Sequence, residues 1–219
     1  MVLIFDMDGV IVDNHQWHLN AFIEFGKRHG LNITRESFSK YFGSTNFLIM
    51  NSLFDGKVSE SEIEQFSKEK EQIYRDLYVS TIKPIEGLPA FLAIAQKLGI
   101  PIALATSAPK ENVIFTLRET GLEKYFEVIT DSSSVTRGKP DPQVYRITAE
   151  KLGVQPNECI VFEDSIAGIA SAKSAGMHVI GVATTYKSKE LLMYVNEIIV
   201  NFEAPEKLIE RLQQVIKSQ

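Results

Sequence analysis

Two aspartates, Asp6 and Asp8, stand directly after an apolar run, Val2 to Phe5, and directly before Gly9. Burying one carboxylate is costly, and two held close together repel each other unless a cation neutralises them. Side chains at i and i+2 of an extended segment point the same way, so Asp6 and Asp8 can share one site. The simplest neutraliser is a hard divalent cation with oxygen ligands, Mg²⁺ foremost. A bare Asp-x-Asp is more often a solvated acidic turn. Here the preceding strand and the following glycine favour a site.

Three distant segments strengthen that reading. The run Ile102-Ala-Leu-Ala ends in Thr106 and Ser107, two hydroxyls able to hydrogen-bond phosphate oxygens. Gly138-Lys139-Pro140-Asp141-Pro142 holds one lysine in a stiff, proline-flanked loop. The run Cys159-Ile-Val-Phe162 ends in Glu163-Asp164-Ser165, a second carboxylate pair. Taken singly, each has a plain reading: a helix cap, a solvated loop cation, an acidic helix start. Together, at the ends of strands, they serve phosphoryl transfer. A carboxylate can attack phosphorus and divide a hard hydrolysis into two easier steps. A cation and Lys139 offset the charge of the carboxylates and of the transferring group. A second carboxylic acid can protonate the leaving oxygen and then deprotonate water.

These residues need elements to hold them. Val2 to Phe5 has the apolar, β-branched and aromatic character of a strand buried on both faces, as in the middle of a parallel sheet. Ligands of open α/β sheets sit at the carboxyl ends of such strands. From about Leu88 onward, helices alternate with strands at Ile102–Thr106, Val128–Thr130, Cys159–Phe162, Val179–Val182 and Glu197–Val200. Helices are expected near 88–98, 110–119, 143–152, from a Ser165 cap to Gly176, and 205–216. That alternation specifies a doubly wound parallel sheet. Residues 14–80 differ. Trp17, Leu19, Phe22 and Phe25 recur at helical spacing, and Gly30 ends their helix. Between Ser59 and Tyr78, Ile63, Phe66, Ile73, Leu77 and Tyr78 share a face, while Glu60, Glu62, Glu64, Lys68, Glu69 and Lys70 mostly cover the other side. This stretch reads as an all-helical insertion into an α/β core of residues 1–13 and 81–219.

A length of 219 residues accommodates one sizeable domain with an insertion. The net charge of −5 argues against a nucleic-acid binder, which would carry a basic stripe. It leaves room for a small phosphorylated partner, which needs only a few local cations. Strand-forming residues start at position 2, no apolar run approaches membrane-spanning length, and the single cysteine, Cys159, lies in an apolar run. The expectation is a cytoplasmic protein with no membrane partner, acting as a monomer.

The order Asp6-Met-Asp8-Gly-Val, Thr106-Ser107, Gly138-Lys139-Pro140 and Glu163-Asp164-Ser165 resembles the four motifs of the haloacid dehalogenase superfamily. The likeness spans nearly the whole chain, helical cap included, and leans to the β-phosphoglucomutase-like branch of sugar phosphatases and mutases. It implies a Rossmann-like core in which Asp6 is the nucleophile that forms an aspartyl-phosphate and Asp8 the general acid and base. It also implies Mg²⁺ held by the Asp6 side chain, the Asp8 backbone carbonyl and Asp164, with Glu163 in the outer shell. Thr106, Ser107 and Lys139 bind the transferring phosphoryl group. His18 and Lys70 sit where the branch pairs a histidine with a cap lysine that help to position Asp8 on closure. From the sequence alone both also read as exposed helix residues.

An acid at position 8 sets the chain apart from relatives that cleave carbon–halogen bonds, whose halide leaving group needs no proton, and from the phosphonate-cleaving relatives, which lack that acid too. The mutases carry a lysine, a glycine and, three residues on, an arginine in the cap to grip the non-transferring phosphate. Here the stretch is Phe42-Gly43-Ser44-Thr45-Asn46, so Gly43 is kept and neither cation is. Charge-assisted contacts to a second phosphate would be lost. A Mg²⁺-dependent phosphatase acting on a small phosphorylated metabolite, a sugar phosphate, is therefore the leading expectation. Specificity would rest on cap residues such as Phe42, Thr45, Asn46 and Phe47, whereas Trp17 and Phe22 are read as packing. β-Phosphoglucomutase is the alternative. A phospho-accepting receiver module shares the residue types but is usually about half this length and has no helical insertion.

Overall fold

The computed structural model describes residues 1–38, 45–195 and 197–217, and the chain forms two compact units, Met1–Asp13 with Lys83–Gln219 and Asn14–Ile82. The second unit runs slightly past residue 80, because the Thr81 and Ile82 N–H groups both bond back to the Tyr78 carbonyl.

Six strands build the first unit: β1 (Val2–Phe5), β2 (Ile102–Ala105), β3 (Val128–Thr130), β4 (Cys159–Glu163), β5 (His178–Val182) and β6 (Glu197–Ile199). Their order is β3-β2-β1-β4-β5-β6, and every pairing is parallel. β1 is central, which explains why all four of its residues are apolar and buried. On one face Val2, Ile4 and Val161 pack with Val144, Tyr145, Ile169 and Ala172. On the other, Phe5 stacks on Phe162 at 4.7 Å between centroids and meets Phe91, Phe126 and Phe202 edge-on or tilted.

The chain steps outward from β1 through β2 to β3, then returns to β4 on the other side of β1. This reversal leaves a crevice at the carboxyl ends of β1, β2 and β4, where ligands of such sheets bind. Four strand ends differ from expectation by one residue: β5 begins at His178, β6 stops at Ile199, and the ends of β2 and β4 also shift. β2 stops at Ala105, because the Thr106 hydroxyl takes the Ala108 N–H at 3.1 Å and the backbone turns. β4 continues through Glu163, which pairs in register with Gly181.

The second unit holds α1 (His15–Arg28), α2 (Arg35–Phe38), α3 (Asn46–Leu53) and α4 (Glu60–Tyr78). Ser59 and Glu62 cap the start of α4 reciprocally. Ile63, Ile73, Tyr74 and Tyr78 are buried on it, and Leu77 in its last turn is 37% exposed. Trp17 stacks on Tyr78 and Phe22 lies against Phe38, so both rings pack as expected. Around the sheet of the first unit run α5 (Leu88–Lys97), α6 (Lys110–Thr120), α7 (Gln143–Leu152), α8 (Ile166–Ser174), α9 (Ser188–Leu191) and α10 (Pro205–Lys217). Among the described residues no helix is long and apolar enough to cross a membrane.

Candidate active site

Asp6 follows the last residue of β1, Thr106 follows β2, Glu163 ends β4, and Asp164 comes next. Asp6, Glu163 and Asp164 are buried, and one carboxylate oxygen from each lies within 4.8 Å of the others. Lys139, in the loop before α7, reaches into this group. Its ammonium donates to Asp6 Oδ1 at 2.9 Å, to Glu163 Oε1 at 2.6 Å and to the Ala105 carbonyl at 3.4 Å. The side chain is 8% exposed, so the solvated-loop reading fails for this residue.

Glu163 is held from every side. Lys139 and the Tyr145 hydroxyl donate to Oε1, while the Ser165 N–H and hydroxyl donate to Oε2. The first turn of α8 presses on it so closely that a Cβ at Gly168 would stand 1.7 Å from Oε1. Both oxygens are thus committed to protein donors, which suits the outer-shell place expected for it. Ser165 also caps α8 by accepting the Gly168 N–H at 3.0 Å.

The electrostatics is unbalanced. Three buried carboxylates face one ammonium. Burial pushes the Asp6 carboxyl up to about 7, with Glu163 and Asp8 adding to the rise and Lys139 opposing it. Burial, then the Glu163 and Asp6 charges, raise Asp164 well above the usual carboxylate range. Lys139 is held firmly protonated, because Asp6 and Glu163 outweigh the burial that works against its charge. Oxygen donors, burial and uncompensated negative charge are what a hard dication needs, so this group fits Mg²⁺.

Asp8 is half-buried in the tight turn from Met7 to Val12, where it bridges to Val12 and the Gly9 N–H bonds to the Val12 carbonyl. The two aspartates stay close enough for the Asp8 charge to raise the Asp6 carboxyl, although the backbone turns between them. β1 ends at Phe5, the backbone curls, and the buried trio is completed by Glu163 and Asp164 rather than by the Asp8 carboxylate. A place for Asp8 through its carbonyl is unaffected by this. Thr106 is buried and Ser107 is exposed.

His18 and Lys70 come together in the helical unit. Lys70 Nζ donates to His18 Nδ1 at 2.9 Å and lies 4.5 Å from the Phe22 centroid, and His18 stacks on Tyr74. The exposed reading of Lys70 is overturned: its side chain is 2% exposed, because Glu71 Oε1 accepts its ammonium at 2.8 Å. Asn46 Nδ2 donates to the same Glu71 oxygen at 2.6 Å. Burial alone would raise the Glu71 carboxyl, but the Lys70 and His18 charges and these two hydrogen bonds hold it down at about 2. Thr45 caps α3, and Phe47 is exposed. Gly43, with Phe42 and Ser44, lies outside the described residues.

Sequence reasoning missed Glu71, Tyr145 and Thr185. Thr185 donates its hydroxyl to Asp164 Oδ2, and the neighbouring Thr184 donates to the Gly9 carbonyl at 2.6 Å. The strand-end rule that picked out Thr106 and Glu163 also reaches these threonines, which follow β5. Tyr145, inside α7, carries no such signal.

The family model for haloacid dehalogenase-like hydrolases matches residues 3–182. The chain belongs to that family. A phosphorylated carbohydrates phosphatase of Thermotoga maritima is 29% identical over 215 residues, 98% of this chain and 99% of the relative. A β-phosphoglucomutase of Bacillus subtilis is 31% identical over 188 residues, 82% of each chain. Among solved structures, a family IA, variant 3 hydrolase of this class from Entamoeba histolytica superposes with a TM-score of 0.91 at 31% identity, covering 99% of both chains.

Proposed function

We propose that this protein is a Mg²⁺-dependent phosphatase that hydrolyses a small phosphorylated carbohydrate through an aspartyl-phosphate at Asp6. The observation that carries this reading is the buried trio Asp6, Glu163 and Asp164 with Lys139 inserted, placed where the sheet order reverses. Asp6 and Asp164 would hold the cation with the Asp8 carbonyl, and Glu163 would steady Lys139. Bound Mg²⁺ offsets charge on the phosphoryl oxygens and on the carboxylates.

A carboxylate oxygen of Asp6 attacks phosphorus, and the bond from phosphorus to the ester oxygen breaks. Asp8, as a carboxylic acid, gives its proton to the departing alkoxide. Asp8, now a carboxylate, takes a proton from water as that water attacks phosphorus, and the Asp6–phosphorus bond breaks to release inorganic phosphate. Lys139, Thr106 and Ser107 bind the phosphoryl oxygens as charge develops.

Hydrolysis is favoured over mutase chemistry by the charge of the helical unit. Glu71 balances the ammonium of Lys70, and Asn46, standing at the position the mutases give to arginine, donates to that same carboxylate. An ionised acid bound at that stretch disfavours a second phosphate. The protein is taken as a monomer of the cytoplasm, where a lone buried thiol such as Cys159 stays reduced.

Phosphorus NMR of β-glucose 1-phosphate with Mg²⁺, the protein and an Asp6→Asn control tests the reading. Inorganic phosphate alone, absent from the control, is expected. Glucose 6-phosphate in its place would make the protein a mutase, and equal turnover by the Asn variant would remove Asp6 as nucleophile.

A further inference from the structure

Asp164 is controlled from a part of the chain outside all four motif segments. The loop after β5 leaves the sheet beside β4, since Gly181 is the register partner of Glu163. It is pinned there by the Ala183 N–H on the Ile199 carbonyl at 2.8 Å. Its next two residues act on two sides of Asp164. Thr185 donates to the carboxylate at Oδ2. Thr184 holds the carbonyl of Gly9, the residue that walls that same oxygen: a Cβ at Gly9, whose φ is +76°, would stand 2.0 Å from Oδ2.

We propose that Thr185 is a positioning residue for the metal ligand Asp164, with Thr184 fixing the Gly9 wall against which that carboxylate is set. The proposal rests on the reading of the buried trio as a Mg²⁺ site. Its physical content lies in the type of donor. Lys139, an ammonium, bonds Asp6 and Glu163 and cancels negative charge there. Asp164 receives a neutral hydroxyl, which orients a carboxylate without removing the charge that attracts a dication. Of the two carboxylates that would hold the cation, Asp6 is thus partly compensated by Lys139, while Asp164 keeps its whole charge for the dication.

The test is calorimetric titration of Mg²⁺ into metal-stripped protein, with melting curves of each metal-free variant to establish that it is folded. Thr185→Val and Thr185→Ala, which lose the hydroxyl without and with a change in bulk respectively, are expected to bind Mg²⁺ about tenfold more weakly. Thr185→Ser, which keeps the hydroxyl, is expected to bind like the wild type. The Mg²⁺ concentration for half-maximal hydrolysis should rise by the same factor, with kcat at saturating Mg²⁺ unchanged. Wild-type affinity in both the Val and Ala variants would overturn the proposal, as would a Ser variant as weak as Val. A wild-type protein that takes up no Mg²⁺ would overturn this proposal and the metal-site reading together. Wild-type binding with unaffected variants sinks the proposal alone.

Discussion

Replacing Lys139 by methionine should expose how the buried carboxylates are tolerated. The substitution keeps an unbranched, comparably long side chain and removes the ammonium that bonds Asp6 at 2.9 Å and Glu163 at 2.6 Å. Taking one partner from a buried ion pair costs about 3–5 kcal/mol, because the remaining charge is left uncompensated. Against a typical domain stability of about 5–15 kcal/mol, that is a large fraction. The loss should depend on pH with a definite sign. Asp6 already sits at about 7 in the folded protein, above the ordinary 3.8. Without Lys139 it rises further, so the folded state binds protons that the unfolded chain releases. A group raised in this way supports the fold at low pH and opposes it as pH climbs through its folded value. Urea unfolding in EDTA should therefore show Lys139→Met falling by about 3–5 kcal/mol at pH 8, and by clearly less at pH 5.5, where Asp6 takes up a proton. Equal stability of variant and wild type at pH 8, or an equal loss at both pH values, would refute the reasoning.

Gly9→Ala should lose about 1–2 kcal/mol to its positive φ and also lose Mg²⁺ binding, because its methyl group would displace the Asp164 carboxylate; melting and metal titration read the two effects separately. Glu71→Gln should destabilise the protein by about 3 kcal/mol near neutral pH, the worth of holding that carboxyl at about 2 instead of 4.5. Since its folded value is depressed, the wild type's advantage is complete above 4.5 and shrinks towards zero as pH falls to about 2; an advantage that stayed constant across that range would be the contrary result. Mg²⁺ at about a hundred times its dissociation constant should add about 2.7 kcal/mol to the wild type and nothing to Asp164→Ala.

The core was legible because its signals are local and redundant. Val2 to Phe5 is apolar at every position, as a strand covered on both faces must be, and β2 and the first four residues of β4 repeat that signature. Motif residues at strand ends followed from the same reading. Lys70 was not legible in burial, because helical periodicity sorts residues by type and counts a lysine as solvent-facing. Its neighbour Glu71 and the distant His18 take its ammonium, Asn46 bonds Glu71 in turn, and nothing in the order of residues announces His18 or Asn46. Asp8 shows a different limit. The i, i+2 rule presumes an extended chain, and by Asp8 the chain has entered the turn from Met7 to Val12. Tyr145 falls on the buried face of α7 and would read as core in any sequence; its hydroxyl becomes informative only once Glu163 is opposite it.

The central place of β1 has a consequence for synthesis of the chain on the ribosome. The strand that presents Asp6 is made well before one of its two neighbours, β4, Cys159–Glu163. Until that segment emerges, β1 has β2 on one edge and an open ladder on the other. Glu163 and Asp164 also arrive only then. Until β4 is made, a nascent chain thus carries its expected nucleophile without the surroundings that could activate it. Competence has to wait at least for β4, which joins both halves of the sheet.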